Sequence, residues 1–349
     1  MPTQSSGPRP LEHRPLGRTG LKATALGLGG APLGDLFQKL SEQQADEIVA
    51  EALSQGITLF DTAPWYGHGL SEHRIGRNLW HVDRGSIIVS TKVGRVYRRP
   101  PDPAAFSPAP WIGGLPFQLH FDYTAAGIHR SYEDSLMRLG LNRVDSLVIH
   151  DLDSKHHSTA EKARHRSDLE TSGWQALEKL RTSGEIRAIG AGINDRAEME
   201  YFLQRFDLDF LLVAMPYTLL DPTPLHSEFL QCQERGINIV IGSPYASGIL
   251  ATGPVPGALY NYAPASAETL QKTQRISDTC AEFGVTLQQA ALQFPLAHPA
   301  VTAVIPGATS RDIVRSNVAN YHAAIPIELW SALKARGLLL PDAPVPGGS

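Results

Sequence analysis

The chain has 349 residues, 42% hydrophobic and 19% charged, with a formal net charge of -4. Such a composition suits a globular protein with material for a sizeable core, and it offers no basic excess to hold nucleic acid or an acidic membrane. No apolar run is long enough to cross a bilayer, and Cys232 and Cys280, far apart in helix-like stretches, read as free thiols of a reducing cytoplasm.

In chain order, residues 1–10 read as a disordered leader and His13 to Lys22 as a short hairpin around a Gly turn. Strand one is expected at Ala23–Leu28, followed by Gly29-Gly-Ala-Pro-Leu-Gly34. A helix runs to Leu53 with Ser41 as N-cap. The stretch Gly56-Ile-Thr-Leu-Phe-Asp-Thr-Ala-Pro-Trp-Tyr-Gly67 is a buried strand, Ile57–Phe60, closing on Asp61 and a turn that carries Tyr66. A short helix spans 71–79, and strand three, from Ser86, closes on Lys92.

Arg95 to Asp122, rich in proline, shows neither helical nor strand period and is expected to be a long loop acting as a lid, hinged at Gly113-Gly114. Helix 123–139 follows, then a strand from Asp145 closing on His150. Asp151 to Asp168 reads as a polar loop, and His156, His157 and His165 within it as solvated rather than metal-binding. Helices are expected at 174–182, 196–206, ending near Arg235, 267–283, 287–297, 311–321 and 327–336. Strands are expected at 186–191, 210–214, 238–241 and 301–305.

Eight strands alternating with helices over about 310 residues favour one α/β domain, a closed (β/α)8 TIM barrel over 11–340 with a flexible tail at 341–349. The alternative is an open, doubly wound sheet. It would want a dinucleotide fingerprint after strand one, and the segment from Gly29 to Gly34 is a poor one.

Barrel strands present their carboxyl ends to the active face, and three successive ends here carry Asp61, Lys92 and His150, with Tyr66 just beyond the first. A free phenol, with pKa about 10, is a poor proton donor at neutral pH. An ammonium such as Lys92 nearby would lower that value, and Asp61 would hold the ammonium charged. His150 would then bond to the reacting oxygen. The set suits moving a proton while another group moves a hydride.

The motif from Gly56 to Gly67, with Thr91-Lys92, Ile149-His150 and Ile305-Pro-Gly-Ala308, resembles the aldo-keto reductase superfamily from about Leu16 to Tyr321. The resemblance implies a catalytic tetrad of Asp61, Tyr66, Lys92 and His150 beneath an NAD(P)H lying across the barrel mouth. Ala63 to Gly69, Ile189 to Asn194 and Ser243 to Leu250 are similar to the branch of NAD-dependent aldose 1-dehydrogenases, fucose dehydrogenase and pyridoxal 4-dehydrogenase.

That resemblance implies hydride exchange with C1 of a small sugar such as fucose, giving a lactone. It places Gly30, Asp61, Asn194, Ser243, Tyr245, Gly248, Leu250, Gly307, Thr309, Ile313 and Asn317 along the cofactor, and Trp65, Tyr66, Trp111 and His150 around the substrate. The bland alternatives are a plain tight turn at Gly30 and ordinary packing for the two tryptophans.

Three positions depart from the family pattern. Gly192-Ile193 stands where Ser-Asn often holds the carboxamide, leaving Asn194 as the nearest amide. Gly242 stands where an aromatic stacks on the nicotinamide, so Tyr245 is the stand-in. Gly307 and Ile313 occupy basic positions that would pair a 2′-phosphate, which favours NAD. Arg311 and Arg315 keep NADP open. A broad NADPH-dependent aldehyde or ketone reductase and a non-catalytic nucleotide-sensing subunit are the rival readings. The expected partner is a small carbonyl or sugar, with no metal, nucleic acid or membrane, in the cytoplasm. The oligomeric state is not readable.

Overall fold

The apolar, β-branched runs become eight short strands whose side chains alternate between two cores. The structure is a computed structural model that describes residues 9–348, so most of the expected leader, residues 1–8, lies outside it. The strands are β1 (Leu28–Gly29), β2 (Leu59–Asp61), β3 (Ile88–Val93), β4 (Ser146–Ile149), β5 (Ala188–Ile193), β6 (Phe210–Val213), β7 (Asn238–Ile241) and β8 (Val301–Val304). They pair in sequence order and all in parallel. Bridges from Leu26 to Val304 and from Gly29 to Gly307 join the first strand to the last. The barrel is therefore closed.

One face of each strand points inward. Leu59, Ile88, Val148, Ala188, Phe210, Leu212, Val240, Ala303 and Ile305 fill the interior with Leu16, Leu21 and Ala23 from the N-terminal hairpin. That hairpin, His13–Pro15 against Lys22–Thr24, floors the barrel at its amino end. The opposite faces pack under the surrounding helices in a second, larger core. Because side chains alternate with period two, Asp61 shares the inward face with Leu59, Lys92 with Ile88, and His150 with Val148. Beyond these apolar residues the same face delivers Asp61 and His150, two residues on, and Lys92, four residues on past Ser90, to the carboxyl-end mouth.

Several expectations need correcting. The hairpin takes Lys22–Thr24, which leaves the first barrel strand as Leu28–Gly29 rather than 23–28. The supposed loop after β3 contains an antiparallel hairpin, Arg95–Arg98 with Gln118–Phe121. The polar stretch after β4 contains a helix, Thr159–Asp168, which runs through one π turn into Trp174–Ser183. Its start is a capping box in which Ser158 Oγ accepts from Glu161 N–H. Pro295 divides the expected 287–297 helix into Leu287–Gln293 and a 3-10 turn. Residues 341–348 are no free tail, since Ala343 is buried and Val345 packs on the core.

Candidate active site

The turn after β2 is held by close backbone packing. A side chain at Gly34 would meet Tyr66 C at 2.4 Å, and Gly67 takes φ +65° with Gly34 O 2.6 Å from where its Cβ would lie. Only glycine allows these two chain segments to touch. Tyr97 Oη donates to Pro64 O at 2.6 Å, and Ser71 Oγ donates to Gly30 O at 2.7 Å. Gly30 is occupied the same way: its N–H bonds Asp61 O, and a Cβ there would lie 2.6 Å from that oxygen. These contacts give Gly30 the tight-turn role.

Within this frame Lys92 Nζ donates to Asp61 Oδ2 at 2.7 Å and to Thr62 O at 2.8 Å, and lies 4.7 Å from the Tyr66 ring centroid. The Tyr66 and His150 rings meet edge to face at 6.0 Å. The four residues singled out in the sequence come together. The expected lowering of the Tyr66 phenol does not appear: burial pushes it well above its ordinary value, and the charges of Asp61 and Asp151 add to the rise. Lys92 is neutralised by Asp61 at 2.7 Å, which explains why it gives the phenol little net help. His150 is driven the other way. Burial holds it well below the usual imidazole range, against the pull of Asp151.

A cavity of about 240 Å³ opens above these groups, walled by Leu36, Phe37, Trp65, Tyr66, Trp111, His150, Leu212 and Tyr262, with Lys155, His156 and Asn194 toward one side. Trp65 and Trp111 pack edge to face at 5.4 Å. Trp111 sits on an anchored segment, not a hinged lid. Ile112 N–H bonds Asp35 O, Leu115 N–H bonds Gly67 O, and Gly113 is pressed onto the Asp35 carboxylate. Asp35 is itself clamped by the buried Arg74 at 2.6 Å. A larger hollow of about 520 Å³ at the amino end, beside Lys22, Arg84, Arg143 and Arg187, holds none of the strand-end groups.

The residues expected along a cofactor are only partly available to one. Leu250 has its side chain in the core and its N–H on Tyr245 O; the Gly248 N–H goes to the same oxygen. Tyr245 is absent from the cavity wall. It donates through Oη to Asn317 Oδ1 at 2.8 Å, tying the loop after β7 to the helix Arg311–His322. Ser243 Oγ accepts from Ser247 N–H at 3.1 Å. Asn194 donates to Asp151 at 3.1 Å and Asp153 at 2.6 Å, so its amide nitrogen is engaged. Gly307, Thr309 and Ile313 line the approach to that helix with Gly307 and Ile313 exposed, and Arg315 is paired with Glu51 at 2.7 Å.

A nicotinamide ring nonetheless fits the site. Buried His150 Nδ1 and Trp111 Nε1 have no partner among the described residues, and both side chains line the cavity. Gly192, also in that wall, leaves free the volume a side chain would fill. The groups that sequence reasoning missed are Arg95, Asp151, Asp153, Phe37 and Tyr262. Arg95 is sandwiched between Trp65 and Phe121 at 4.5 and 4.2 Å and donates to Asp151 Oδ2 at 2.6 Å. Asp151, Asp153 and His156 are close enough to share an ion, but Arg95, Asn194 and His156 already engage the carboxylates.

The chain belongs to the aldo/keto reductase family, whose model matches residues 25–336. It is 39% identical to pyridoxal 4-dehydrogenase of Microbacterium luteolum over 94% of this chain and 98% of that protein. It is 35% identical to D-threo-aldose 1-dehydrogenase of a Pseudomonas species, over 92% and 96%. Among solved structures it is similar to the holo form of an aldo-keto reductase from Bacillus halodurans, with TM-score 0.73, 27% identity and coverage of 97% and 98%. The protein is thus an oxidoreductase of the nicotinamide-dependent kind, and no helix among the described residues is long and apolar enough to cross a membrane.

Proposed function

We propose that the chain oxidises the C1 hemiacetal of a small aldose of the fucose kind to its lactone, in the cytoplasm, with NAD preferred to NADP. The observation that carries this is the meeting of Tyr66, Lys92, Asp61 and His150 beneath a small, largely aromatic cavity. The relatives named for an aldose and for pyridoxal support the substrate class, since each of those compounds carries an aldehyde that an internal hydroxyl can close into a ring. The dinucleotide, when bound, accepts the hydride.

The chain's own residues do the rest. Tyr66 bonds to the reacting oxygen and exchanges its proton. Lys92, fixed by Asp61 and Thr62 O, lies against the Tyr66 ring and holds it in place. His150 orients the oxygen from the other side. Trp65 and Trp111 cover the apolar C–H face of the ring, while Asn194 and His156 sit where hydroxyls would meet them. Gly307, Thr309, Asn317 and Ser243 are the residues left to hold the dinucleotide along the mouth.

The test is a panel of aldoses, pyridoxal and simple aldehydes, with NAD or NADP, followed by nicotinamide absorbance. Highest kcat/KM for an aldose with NAD is expected. Turnover confined to aldehyde reduction with NADPH would replace this reading by the broad-reductase one.

A further inference from the structure

His157 and His165 read as solvated from the sequence, yet both are buried, 7% and 4% exposed. The helix Thr159–Asp168 is otherwise polar, and His165 is the single side chain it buries. The His165 ring packs on Tyr123 at 5.2 Å, Phe121 at 6.1 Å and His157 at 4.9 Å. His157 in turn meets Phe121 at 4.2 Å. A helix without an apolar stripe has little else to bury, so this aromatic seat carries much of its docking. Lys162 and Arg166 add ion pairs to Glu198 at 3.0 and 2.5 Å.

Hydrogen bonds fix the proton on each ring. Arg164 Nη2 lies 3.2 Å from His165 Nε2. A guanidinium only donates, so that nitrogen accepts, and His165 is a neutral ring with its proton on Nδ1. His157 Nε2 lies 3.0 Å from Asp151 O, an acceptor, and therefore donates. A second proton on His165 would turn an N–H toward the Arg164 guanidinium and break that bond. The nearest carboxylate, Asp168, is 3.6 Å from Nδ1, beyond hydrogen-bond reach.

We propose that the two histidines form an acid-sensitive clasp: neutral, they seat the helix Thr159–Asp168 against the hairpin that carries Phe121; protonated, they release it. The groups facing His165 are Arg164, Glu161 and Asp168 on its own helix, His157 on the loop before it, and Tyr123. Those facing His157 are Asp151, Asp153 and His156 on its own loop, with His165 and Tyr123. Glu161 is committed to Ser158. Burial and then Arg164 push His165 below the usual imidazole range, and burial and then His165 do the same to His157. The docked form thus binds fewer protons. Docking is complete above about pH 6.5 and is lost as pH falls through the lowered values.

The released piece reaches the active site. His157 N–H bonds Asp153 O, and the two residues before it, Lys155 and His156, line the cavity. Acid would loosen that wall while leaving Tyr66, Lys92 and Asp61 in place. The clasp goes beyond the proposed oxidation and does not depend on it.

The experiment follows hydrogen exchange of the full chain, corrected for the intrinsic rate, from about pH 7.5 to about pH 5, across the ordinary imidazole value of about 6.5. Spectra of ¹⁵N-histidine, assigned with His157→Gln and His165→Phe, report when the two rings gain protons. Amides of residues 155–168 are expected to lose protection as those signals titrate, while amides of β4 keep theirs. His165→Phe fills the same seat without a titratable nitrogen, so its helix should stay protected at the acid end. KM for whichever substrate turns over should rise on acidification in the parent and rise less in the variant. Unchanged protection in the parent overturns the proposal, whether or not a variant folds. So does loss of protection shared by β4, or loss that occurs without titration of the two histidines. A His165→Phe helix that opens as fully as the parent's overturns it as well.

Discussion

Lys92 on β3 and Asp61 on β2 form an ion pair of 2.7 Å inside the barrel, with the side chains only 1% and 3% exposed. Removing one member of such a pair strands a buried charge, which typically costs about 3–5 kcal/mol. Asp61→Leu should therefore lower the urea midpoint sharply. Asp61→Leu combined with Lys92→Met should recover much of the loss while remaining inactive. Equal midpoints for the single and the double variant would show that the pair is hydrated and its charges separable.

Tyr66→Phe keeps the ring against Lys92 but removes the hydroxyl, so turnover should fall by about 10²–10⁴-fold while dinucleotide affinity is retained. Steady-state rates and cofactor titration by fluorescence distinguish these. A variant that turns over near the parent rate removes Tyr66 from the chemistry.

Ile313 is 38% exposed in the first turn of its helix, and Arg315 is held by Glu51 and Asp312. NAD should therefore be used better than NADP. Ile313→Arg should improve NADP use by the strength of a charge-assisted hydrogen bond, about 1.5–3 kcal/mol, read as kcat/KM for each dinucleotide. No gain in the variant would mean that the 2′-phosphate lies elsewhere.

Trp111 covers the cavity from an anchored segment, so Trp111→Ala should raise KM for the preferred substrate several-fold and reorder the sugars tested, with dinucleotide affinity unchanged. Identical KM values and ranking would reduce Trp111 to packing.

His298 is buried among Tyr217 and Phe229, and its Nδ1 accepts from Ala300 N–H at 3.1 Å. Burial pushes its pKa down to about 4. The unfolded value is about 6.5, so the folded chain binds fewer protons between those limits. The stabilisation is complete above about pH 6.5 and is lost as pH falls toward about 4, a total on the order of 3 kcal/mol by linkage. His298→Asn keeps an acceptor for Ala300 without titrating. Its stability should change less with acidification than the parent's, and parallel urea curves for the two proteins would refute the assignment.

The barrel was legible because its strands are apolar runs that end on polar residues, and Asp61, Lys92 and His150 lie at those ends. Tyr66 was legible because a short motif carries it. Arg95 and Asp151 were not, since their meeting depends on the register of β3 against β4, in which Val93 pairs with Ile149 and the residues two further on face each other. The helix Thr159–Asp168 escaped because it buries only His165 and so lacks apolar periodicity. The pattern of Ser158 and Glu161 was the available signal. The tuning of Tyr66 was not legible because burial and two nearby carboxylates outweigh one ammonium that is already paired.

The hairpin that floors the barrel stands at the end remote from the reacting groups, with Leu16 and Leu21 inserted beneath the Asp61 and Ser90 layer. It acts as a stopper. Shortening the chain past residue 24 would admit water from below to the Lys92–Asp61 pair without touching any group at the mouth.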